Sequence, residues 1–367
     1  MGRARRGGGC AVLFLIVVGA VGLGVYYKFF RPEPTSLPPA SGDELRVHVL
    51  DVGQGDSVLI IAPGGKTALI DAGNPGNGKK ILAALQRENV QQIDLLVATH
   101  ALADHIGAAD EVIKGTTVRV VLDSKIPNTT KNYADFLKAI KDRGVQYVGA
   151  EPGQTFDMGG GAVLTVLAPI PPPFEKDQLR SGGNEPNANS VVLRLDYGDF
   201  SMLFTGDAEA QTEQRMIEQE ARLEADVLKV GHHGSKYATS DDLLRRGRFK
   251  AAVISAGYDN RYGHPSPEVL ARIKATDARL YRTDLQGEIK ITTKGREDDF
   301  KIDTERRADE DLWAGREAKR DDSERSGFIQ YGDFGPVNRN RNTNNANARN
   351  SNSANARNAN NANAGRR

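Results

Sequence analysis

The sequence of 367 residues has a single cysteine, Cys10, which excludes an intramolecular disulfide and a cysteine-based zinc site. It also has almost no net charge, because 49 lysines and arginines oppose 48 aspartates and glutamates, a formal balance of +1. No field of the whole protein therefore draws in nucleic acid or an acidic surface, and an anionic substrate must be attracted locally, for instance by metal ions. The hydrophobic content of 39% is ordinary for a soluble globular protein.

Charge is absent from residues 7–27, which follow the basic segment 1–6. As a helix, residues 11–27 would span roughly 25 Å at about 1.5 Å per residue. The arginines ahead of this run favour a cytoplasmic N-terminus. We therefore expect residues 1–31 to be a single-pass anchor of the cytoplasmic membrane, in contact with lipid through 11–30, with the rest of the chain outside the cytoplasm. A cleaved signal peptide and a secreted protein are the alternative.

The composition of the chain changes at several points and predicts its division into segments. Residues 32–44 are rich in Pro and Ser, as in a short extended linker, and residues 45–300 carry the pattern of a folded domain. Residues 301–337 are dense in charge and predict a linker. Residues 338–367 consist almost entirely of Asn, Ala, Arg and Ser, a composition that cannot form a core and predicts a disordered tail. Contact of this basic tail with an anionic polymer is the alternative to a purely solvated tail.

Strand and helix patterns alternate through the predicted domain. The first three strand candidates are joined by the Gly-rich turns GQGDS and PGGK, as in antiparallel hairpins, and later strands alternate with helices. This order predicts an α+β fold in which two mixed sheets are flanked by helices, rather than a purely parallel sheet. The apolar periodicity predicts helices over residues 78–88, 107–114, 131–142, 208–221, 239–246 and 266–275.

Five of the six histidines lie in three short stretches that follow strand candidates. The stretches are residues 99–107, 230–235 and 261–265, which contain His100 and His105, His232 and His233, and His264, respectively. Asp71 and Asp207 also follow strand candidates. Because imidazole nitrogens and carboxylate oxygens are the ligand set of zinc, manganese and iron, this pattern predicts a metal site at one rim of the sheets.

Ordinary structural roles are the alternative for each of these residues taken alone. A single histidine is usually a surface or core residue, and a single aspartate after a strand is usually a turn or capping residue. Asp104, for example, is placed to cap a helix that begins near Ile106. We assign no site role to His48, which lies inside the first strand candidate. Clustering beside glycines in three separate loops favours the metal site for the other five histidines.

Seven motifs in a fixed order resemble the hydrolase domain of the ComEC competence family. The resemblance covers about residues 45–293, and the motifs are LDVGQGDS, IDAG, THxxxDHIG, NSVVL, TGD, GHHGS and YGHP. The resemblance implies the four-layer αββα metallo-β-lactamase fold, with the metal site on one edge of the sheet sandwich. It also implies a free-standing relative on one anchor, because nothing in this sequence would form a multi-spanning pore.

The resemblance also implies individual roles for the residues in these motifs. Asp207 would bridge two metal ions, and Asp71 would support the site by hydrogen bonding. His232 or His233 would lie near the leaving group, although one of the two is placed to reach a metal instead. The metal ligands that the resemblance implies are His100, Asp104, His105, Asp207 and His264.

Two departures from the family pattern affect the expected number of metal ions. Leu102 occupies a position that commonly carries aspartate, and Asn189-Ser190 stand where other members supply a histidine. All the ligands that the resemblance implies for one ion are present in the sequence. The second ion site keeps only His100 and the shared Asp207, unless Asn189 or His233 contributes. We therefore expect zinc or manganese, as one ion or as two with the second weakly bound.

The implied reaction is metal-assisted hydrolysis of a phosphodiester in DNA or a nucleotide, with His232 or His233 protonating the leaving alkoxide. A small ester, lactone or phosphonate-type diester is an alternative substrate, because the fold does not determine the substrate. A second alternative is a catalytically impaired module that binds DNA or an envelope polymer. Mutation of either Asp104 or His264 to alanine is expected to abolish metal-dependent turnover.

Overall fold

Residues 44–179 and 185–318 are described by the structure, a computed structural model. In these ranges no helix combines the length and the apolar character that crossing a bilayer requires. The predicted anchor, all but the last residue of the Pro/Ser linker and the predicted disordered tail lie outside the described residues.

The N-terminal part of the domain builds most of an eight-stranded mixed sheet. Its strands are β1 (Leu45–Val49), β2 (Val58–Ile61), β3 (Thr67–Ile70), β4 (Gln92–Ala98), β5 (Thr117–Asp123), β6 (Gln146–Gly149), β14 (Ile289–Thr293) and β15 (Lys301–Thr304). Their order across the sheet is β15-β14-β1-β2-β3-β4-β5-β6. Strands β15 to β3 pair antiparallel, whereas β3 to β6 pair in parallel.

The second sheet has seven strands. They are β7 (Thr155–Gly159), β8 (Ala162–Ala168), β9 (Val192–Tyr197), β10 (Phe200–Phe204), β11 (Val227–Lys229), β12 (Ala251–Ile254) and β13 (Arg279–Arg282), in the order β13-β12-β11-β10-β9-β8-β7. Strands β10 to β13 pair in parallel and β7 to β10 pair antiparallel.

Helices cover the outer face of each sheet. The described helices are α1 (Gly78–Arg87), α2 (Ala103–Ile106), α3 (Ala109–Gly115), α4 (Lys131–Arg143), α5 (Glu185–Ala188), α6 (Ala210–Glu218), α7 (Asp241–Gly247), α8 (Pro267–Lys274) and α9 (Thr283–Gln286), with 3₁₀ turns at Lys176–Gln178 and Gly231–Gly234. Side-chain caps define several starts: Thr130 accepts from Tyr133 N before α4, and Ser266 accepts from Val269 N before α8. The 107–114 prediction is divided differently, because Gly107 and Ala108 separate α2 from α3.

Three apolar clusters hold these layers together. The central cluster lies between the sheets and joins, for example, Val47 and Ile60 of the first sheet to Leu164 and Leu193 of the second. A second cluster packs α1 to α4 against the first sheet, and a third packs α6 to α8 against the second. The layers are therefore helices, sheet, sheet and helices, and the predicted two-sheet α+β sandwich is confirmed.

The parallel strands direct the functional loops to one edge of the sandwich. Parallel neighbours present their carboxyl ends on the same side. In the first sheet these ends are followed by Asp71 after β3 and by residues 99–105 after β4. In the second sheet they are followed by Asp207 after β10 and by His232-His233 after β11. The fold thus brings together residues that are far apart in sequence.

The folded domain continues beyond the predicted boundary at residue 300. Residues 301–304 form β15 and pair with β14, although the sequence assigns them to a charged linker. The following segment 305–318, here called the strap, packs on the domain: the buried Arg282 donates to the carbonyls of Leu312 and Ala314 at 2.8 and 2.6 Å. Because the side chains at the surface of the strap are charged, its sequence does not predict these backbone contacts.

Replacement of Arg282 by methionine is expected to destabilise the domain by about 3 kcal/mol or more, since it removes one partner of a buried ion pair. Arg282 also donates to both oxygens of Asp284, at 3.0 and 2.7 Å. The free energy of unfolding in urea measures the effect. The exposed Arg248, replaced in the same way, is the control and should change stability by less than about 0.5 kcal/mol. Equal effects for the two variants would contradict the role of Arg282.

Candidate metal centre

Four side chains converge at the carboxyl edge of the two sheets. Asp104, His105, Asp207 and His233, here called the metal cluster, each offer one ligand atom, and these atoms lie within 4.8 Å of one another. His105 Nε2 is 3.2 Å from Asp207 Oδ1 and 3.3 Å from His233 Nε2. His233 Nε2 is also 3.3 Å from Asp104 Oδ2. The two imidazoles and two carboxylates therefore face one common point.

The donor set and its unused polar atoms fit a divalent cation. Two imidazole nitrogens and two carboxylate oxygens suit zinc or manganese. Asp207 is 1% exposed, and its Oδ1 makes no hydrogen bond within the described residues. Buried polar atoms are normally satisfied, so an unsatisfied carboxylate oxygen 3.2 Å from the His105 imidazole indicates a site built for a cation.

Asp71 orients the His105 ring through Nδ1, the ring nitrogen that does not face the metal cluster. One of its carboxylate oxygens lies 2.7 Å from His105 Nδ1, and the carboxylate accepts hydrogen bonds from Thr99 N at 2.8 Å and Thr99 Oγ1 at 2.7 Å. With Nδ1 directed to Asp71, the imidazole presents Nε2 to the metal cluster. Asp71 is placed there by a left-handed backbone, φ 61°, at the end of β3. This is the supporting position that the resemblance implies for Asp71.

Electrostatic coupling within the metal cluster is strong. Burial lowers the pKa of His233, but Asp207, Asp104 and Asp56 outweigh it and raise that pKa to about 10. Burial likewise opposes protonation of His105, whereas Asp207 and Asp71 raise its pKa well above the ordinary value. Burial raises the pKa of Asp207, yet the surrounding histidines hold it well below its usual range. Protons on the imidazoles thus balance the carboxylates when no cation does so.

Metal binding is therefore expected to release protons. Since His105 and His233 have raised pKa values, both carry a proton near neutral pH in the metal-free protein, and an ion must displace it. The affinity for the metal ion should therefore rise with pH up to the pKa values of these two histidines. Calorimetric titration of zinc at pH 7, in two buffers with different ionisation enthalpies, should show release of at least one proton. Binding with no buffer dependence would contradict the assignment of these imidazoles as ligands.

His100 lies beside the metal cluster but is not part of it. Its Nε2 is 3.8 Å from Asp207 Oδ2 and makes no hydrogen bond within the described residues, whereas its Nδ1 lies 3.1 Å from Thr99 Oγ1 and 3.3 Å from Ser190 Oγ. Burial lowers the pKa of His100 to about 3. It is thus a neutral imidazole with one nitrogen available toward Asp207.

Leu102 and Asn189 offer no ligand atom to a second ion beside His100. Leu102 is the N-cap residue of α2 and offers no ligand atom. The side chain of Asn189 is used elsewhere: its Oδ1 accepts from Phe174 N at 2.8 Å, and its Nδ2 donates to the carbonyls of Phe174 and Glu185 at 3.0 Å. Asn189 therefore holds two loop segments together and does not supply the ligand that the sequence left open.

His264, which the sequence assigns as a metal ligand, lies further out than His233. Its ring is 5.6 Å from the ring of His232, and it is absent from the group of four ligand atoms. Burial lowers its pKa to about 3, and its Nδ1 is buried without a hydrogen bond within the described residues. Within the described residues His233, and not His264, belongs to the group of four ligand atoms, and the ligand role of His264 stays a prediction.

His232 faces the metal cluster without joining it. Its Nε2 lies 3.7 Å from Asp207 Oδ2 and 3.2 Å from the Asn187 amide nitrogen, and its Nδ1 lies 3.7 Å from Glu209 Oε1. The Asn187 amide nitrogen, which only donates, lies 3.2 Å from Nε2 and 3.5 Å from Nδ1, so Nε2 is the closer acceptor. Burial lowers the pKa of His232. This histidine is therefore a neutral proton acceptor at the site.

The backbone between His232 and His233 is strained. Both residues have left-handed φ angles, 48° and 53°, which are rare for residues other than glycine. The flanking glycines allow close packing: a Cβ at Gly231 would lie 3.1 Å from Thr205 Oγ1, and one at Gly234 would lie 2.6 Å from Pro265 Cβ. This conformation turns the two adjacent imidazoles to different positions, one within the metal cluster and one beside it.

Asp56 and Lys229 are site residues that sequence reasoning did not identify. Lys229 Nζ donates to Asp56 Oδ2 at 2.7 Å, and both side chains are buried. Asp56 Oδ1 lies 3.3 Å from His233 Nδ1, and that nitrogen lies 3.1 Å from the Ser255 carbonyl oxygen. The available signal was a lysine within the apolar strand VLKV, because a charge in a buried strand requires a partner.

His48 lies apart from the site in an ion-pair group. It is buried in β1, its Nδ1 is 2.8 Å from Glu288 Oε1, and its Nε2 is 3.7 Å from Glu88 Oε2. A structural role of this kind is what the sequence position indicates.

Comparison with known proteins shows one family and several relatives. A profile of the Metallo-beta-lactamase superfamily matches residues 50–258. ComE operon protein 3 of Bacillus subtilis is 31% identical over 78% of this chain and 37% of its own length. Recombination protein 2 of Haemophilus influenzae is 32% identical over 67% of this chain and 28% of its own. Competence protein ComA of Neisseria gonorrhoeae is 30% identical over 77% and 37%. The chain thus spans about a third of the length of these relatives.

Proposed function

The chain belongs to the metallo-β-lactamase superfamily, and we propose that this hydrolase cleaves phosphodiester bonds in DNA or in nucleotides. One observation carries the proposal: the metal cluster of Asp104, His105, Asp207 and His233 has His232 directly beside it, and His264 contacts the His232 ring. Similarity to competence and recombination proteins supports a DNA substrate.

In the proposed reaction the four residues of the metal cluster hold a divalent ion. When bound, the ion supplies Lewis acidity, which makes water nucleophilic at neutral pH and neutralises phosphate charge. Asp71 keeps the Nε2 atom of His105 directed at the cluster through its 2.7 Å contact with Nδ1. His105, Asp207 and His233 are buried, and the low polarity around them strengthens these interactions.

His232 is the residue that moves the proton in this proposal. Its Nε2 accepts a proton from the attacking water as the new P–O bond forms, and returns it to the departing alkoxide as the old P–O bond breaks. Glu209 Oε1, 3.7 Å from His232 Nδ1, stabilises the transient imidazolium. The lowered pKa of His232 supports this order of events, since the imidazole begins the cycle neutral.

The proposed number of bound ions depends on Leu102, which offers no ligand atom to a second ion. With His100 and Asp207 alone at the second position, we propose one tightly bound ion of zinc or manganese. The Leu102→Asp variant adds the missing carboxylate and is expected to raise the metal content of the purified protein from about one ion to about two per chain. Leu102→Asn, of similar size but without charge, is the control. An unchanged metal content in Leu102→Asp would contradict this account of the second position.

We further propose that the domain acts outside the cytoplasmic membrane on a single anchor. The basic segment 1–6 and the apolar run 11–27 support this placement, and similarity to competence proteins is consistent with it. Labelling of introduced surface cysteines with a reagent that cannot cross the membrane tests the topology.

The substrate proposal is tested with the purified full-length chain, added manganese or zinc, and a panel of substrates. The panel contains an oligonucleotide, bis(p-nitrophenyl) phosphate, p-nitrophenyl acetate, a lactone and a β-lactam. We expect cleavage of the two phosphodiesters and a loss of about a hundredfold in turnover for His232→Gln. Hydrolysis of only the carboxyl ester or the lactone would contradict the phosphodiester proposal and favour the small-ester or lactone alternative. DNA binding in the presence of chelator, with no cleavage of anything, would favour the binding module.

A further inference from the structure

Exposed aromatic side chains lie on the loops that carry the site histidines. The described residues expose five large hydrophobic side chains: Leu137, Tyr147, Tyr237, Tyr258 and Tyr262. Three of them lie on the two loops that carry the site histidines, since Tyr237 follows His233 by four positions and Tyr258 and Tyr262 precede His264. Their exposed fractions are 44, 52 and 49%, respectively. Exposure of large rings beside a reactive centre indicates a surface that binds something flat and apolar.

Tyr262 connects this surface to the metal cluster through stacked rings. Its ring stacks on His264 with a centroid separation of 5.9 Å and an interplanar angle of 23°. His264 is 5.6 Å from His232, whose Nε2 is 3.7 Å from Asp207. A group stacked on the exposed part of Tyr262 therefore lies within a few ring diameters of the proposed reaction centre.

Each of these three tyrosines has a cation over its ring, as does the exposed Tyr147, where Lys125 Nζ lies 5.7 Å from the ring centroid. The guanidinium carbon of Arg261 is 5.1 Å from the ring centroid of Tyr262, that of Arg316 is 4.4 Å from Tyr258, and Lys236 Nζ is 5.3 Å from Tyr237. Arg316 is paired with Asp284 and Glu310 at 3.2 and 3.1 Å, so its charge is balanced within the protein, and the cations that face a phosphate chain in this inference are Arg261 and Lys236. Alternating aromatic rings and cations are the combination that binds single nucleic-acid strands.

The loop that carries these tyrosines is held in place before any substrate arrives. The Asn260 side chain accepts from Tyr262 N at 3.1 Å and from His264 N at 3.0 Å. The strap closes over the same loop: Arg316 N donates to Pro265 O at 3.0 Å, and a Cβ at Gly263 would lie 2.6 Å from Ala318 N. A fixed platform loses little conformational entropy on binding.

We propose that Tyr258 and Tyr262, with Arg261, form a stacking subsite for unpaired nucleobases next to the scissile phosphodiester. This inference rests on the proposed function and adds to it how the substrate is recognised, namely through its unpaired bases. A base within a duplex is already stacked and paired, so the subsite takes nucleotides that are unpaired. Glu310 does not repel the strand, because its carboxylate is paired with Arg316 at 3.1 Å and with the Tyr258 hydroxyl.

The test compares strands that have bases with strands that lack them. Binding of a fluorescein-labelled thymidine octanucleotide, and of an octanucleotide of abasic residues with the same phosphates, is measured by anisotropy in chelator with the full-length protein. Wild type should prefer the thymidine strand. Tyr262→Leu and Tyr258→Leu should each weaken binding of that strand by roughly 5- to 150-fold, the effect of one to three kcal/mol of stacking per base. Binding of the abasic strand should not change.

Tyr147→Leu is the matched control, because Tyr147 is an exposed tyrosine in β6 of the other sheet. Equal losses for both strands in the Tyr258 and Tyr262 variants would mean a general structural defect and would overturn the inference, as would no loss for either strand. Cleavage of the same strands with manganese is measured separately. Selective binding without cleavage would defeat the proposed hydrolysis and leave the subsite standing, whereas cleavage without base preference would defeat only the subsite.

Discussion

Replacement of Asp207 by asparagine is expected to remove the bound ion and to lower phosphodiester turnover at least about a thousandfold, the equivalent of the several kcal/mol that a metal ion contributes. Asp207 is the central carboxylate of the site. It lies 3.2 Å from His105 and 3.7 Å from His233, and its Oδ1 has no hydrogen bond within the described residues. An amide of the same shape keeps the packing but loses the charge that a cation requires.

The measurement is metal content by elemental analysis together with turnover at saturating manganese. Asp303→Asn makes the same chemical change at an exposed position of β15 and should leave both quantities unchanged. Circular dichroism confirms that both variants are folded. An Asp207→Asn protein that keeps its ion and a tenth or more of wild-type turnover would show that the centre of the site has been misplaced.

His233→Ala and His264→Ala are expected to have different effects, although the family resemblance makes His264 the ligand. His233 lies in the metal cluster, 3.3 Å from both His105 and Asp104. Loss of a residue that only hydrogen-bonds to a ligand weakens metal affinity roughly 10- to 100-fold. Loss of His233 should weaken it by more than that. His264 lies beside His232 instead. Its loss should lower turnover and leave metal affinity nearly unchanged.

Zinc affinity of each variant is measured by competition with a chromophoric chelator. His48→Gln is the matched control, because His48 is a buried histidine in a different ion-pair group and should bind zinc as wild type does. The reverse pattern, in which His264→Ala loses zinc and His233→Ala keeps it, would restore the ligand set that the sequence motifs imply.

Much of the fold follows from local sequence patterns. The hairpins of β1 to β3 are signalled by glycine-rich turns, and α4 by its apolar spacing between Thr130 and Gly144. The strap was not predictable in this way. Its contacts are backbone carbonyls that bind the buried Arg282, and its own side chains are charged, so neither hydrophobic period nor composition marks it as part of the domain.

The site was partly predictable because ligand residues follow strand ends. His105 and Asp207 were identified from that pattern, the family resemblance added Asp104, and the structure brings the three together. The choice between His232, His233 and His264 depends on two left-handed residues and on a loop held by the strap, which no local pattern encodes. The Asp56–Lys229 pair joins residues 173 positions apart, so only the tertiary structure reveals it.

Metal content of the purified full-length chain tests the central claim most directly. After dialysis against excess zinc or manganese and removal of unbound ion, elemental analysis is expected to find about one ion per chain, a count set by the donors of the metal cluster. The same procedure on Asp207→Asn should find almost none. Wild-type protein that is folded and yet retains no ion would contradict the account.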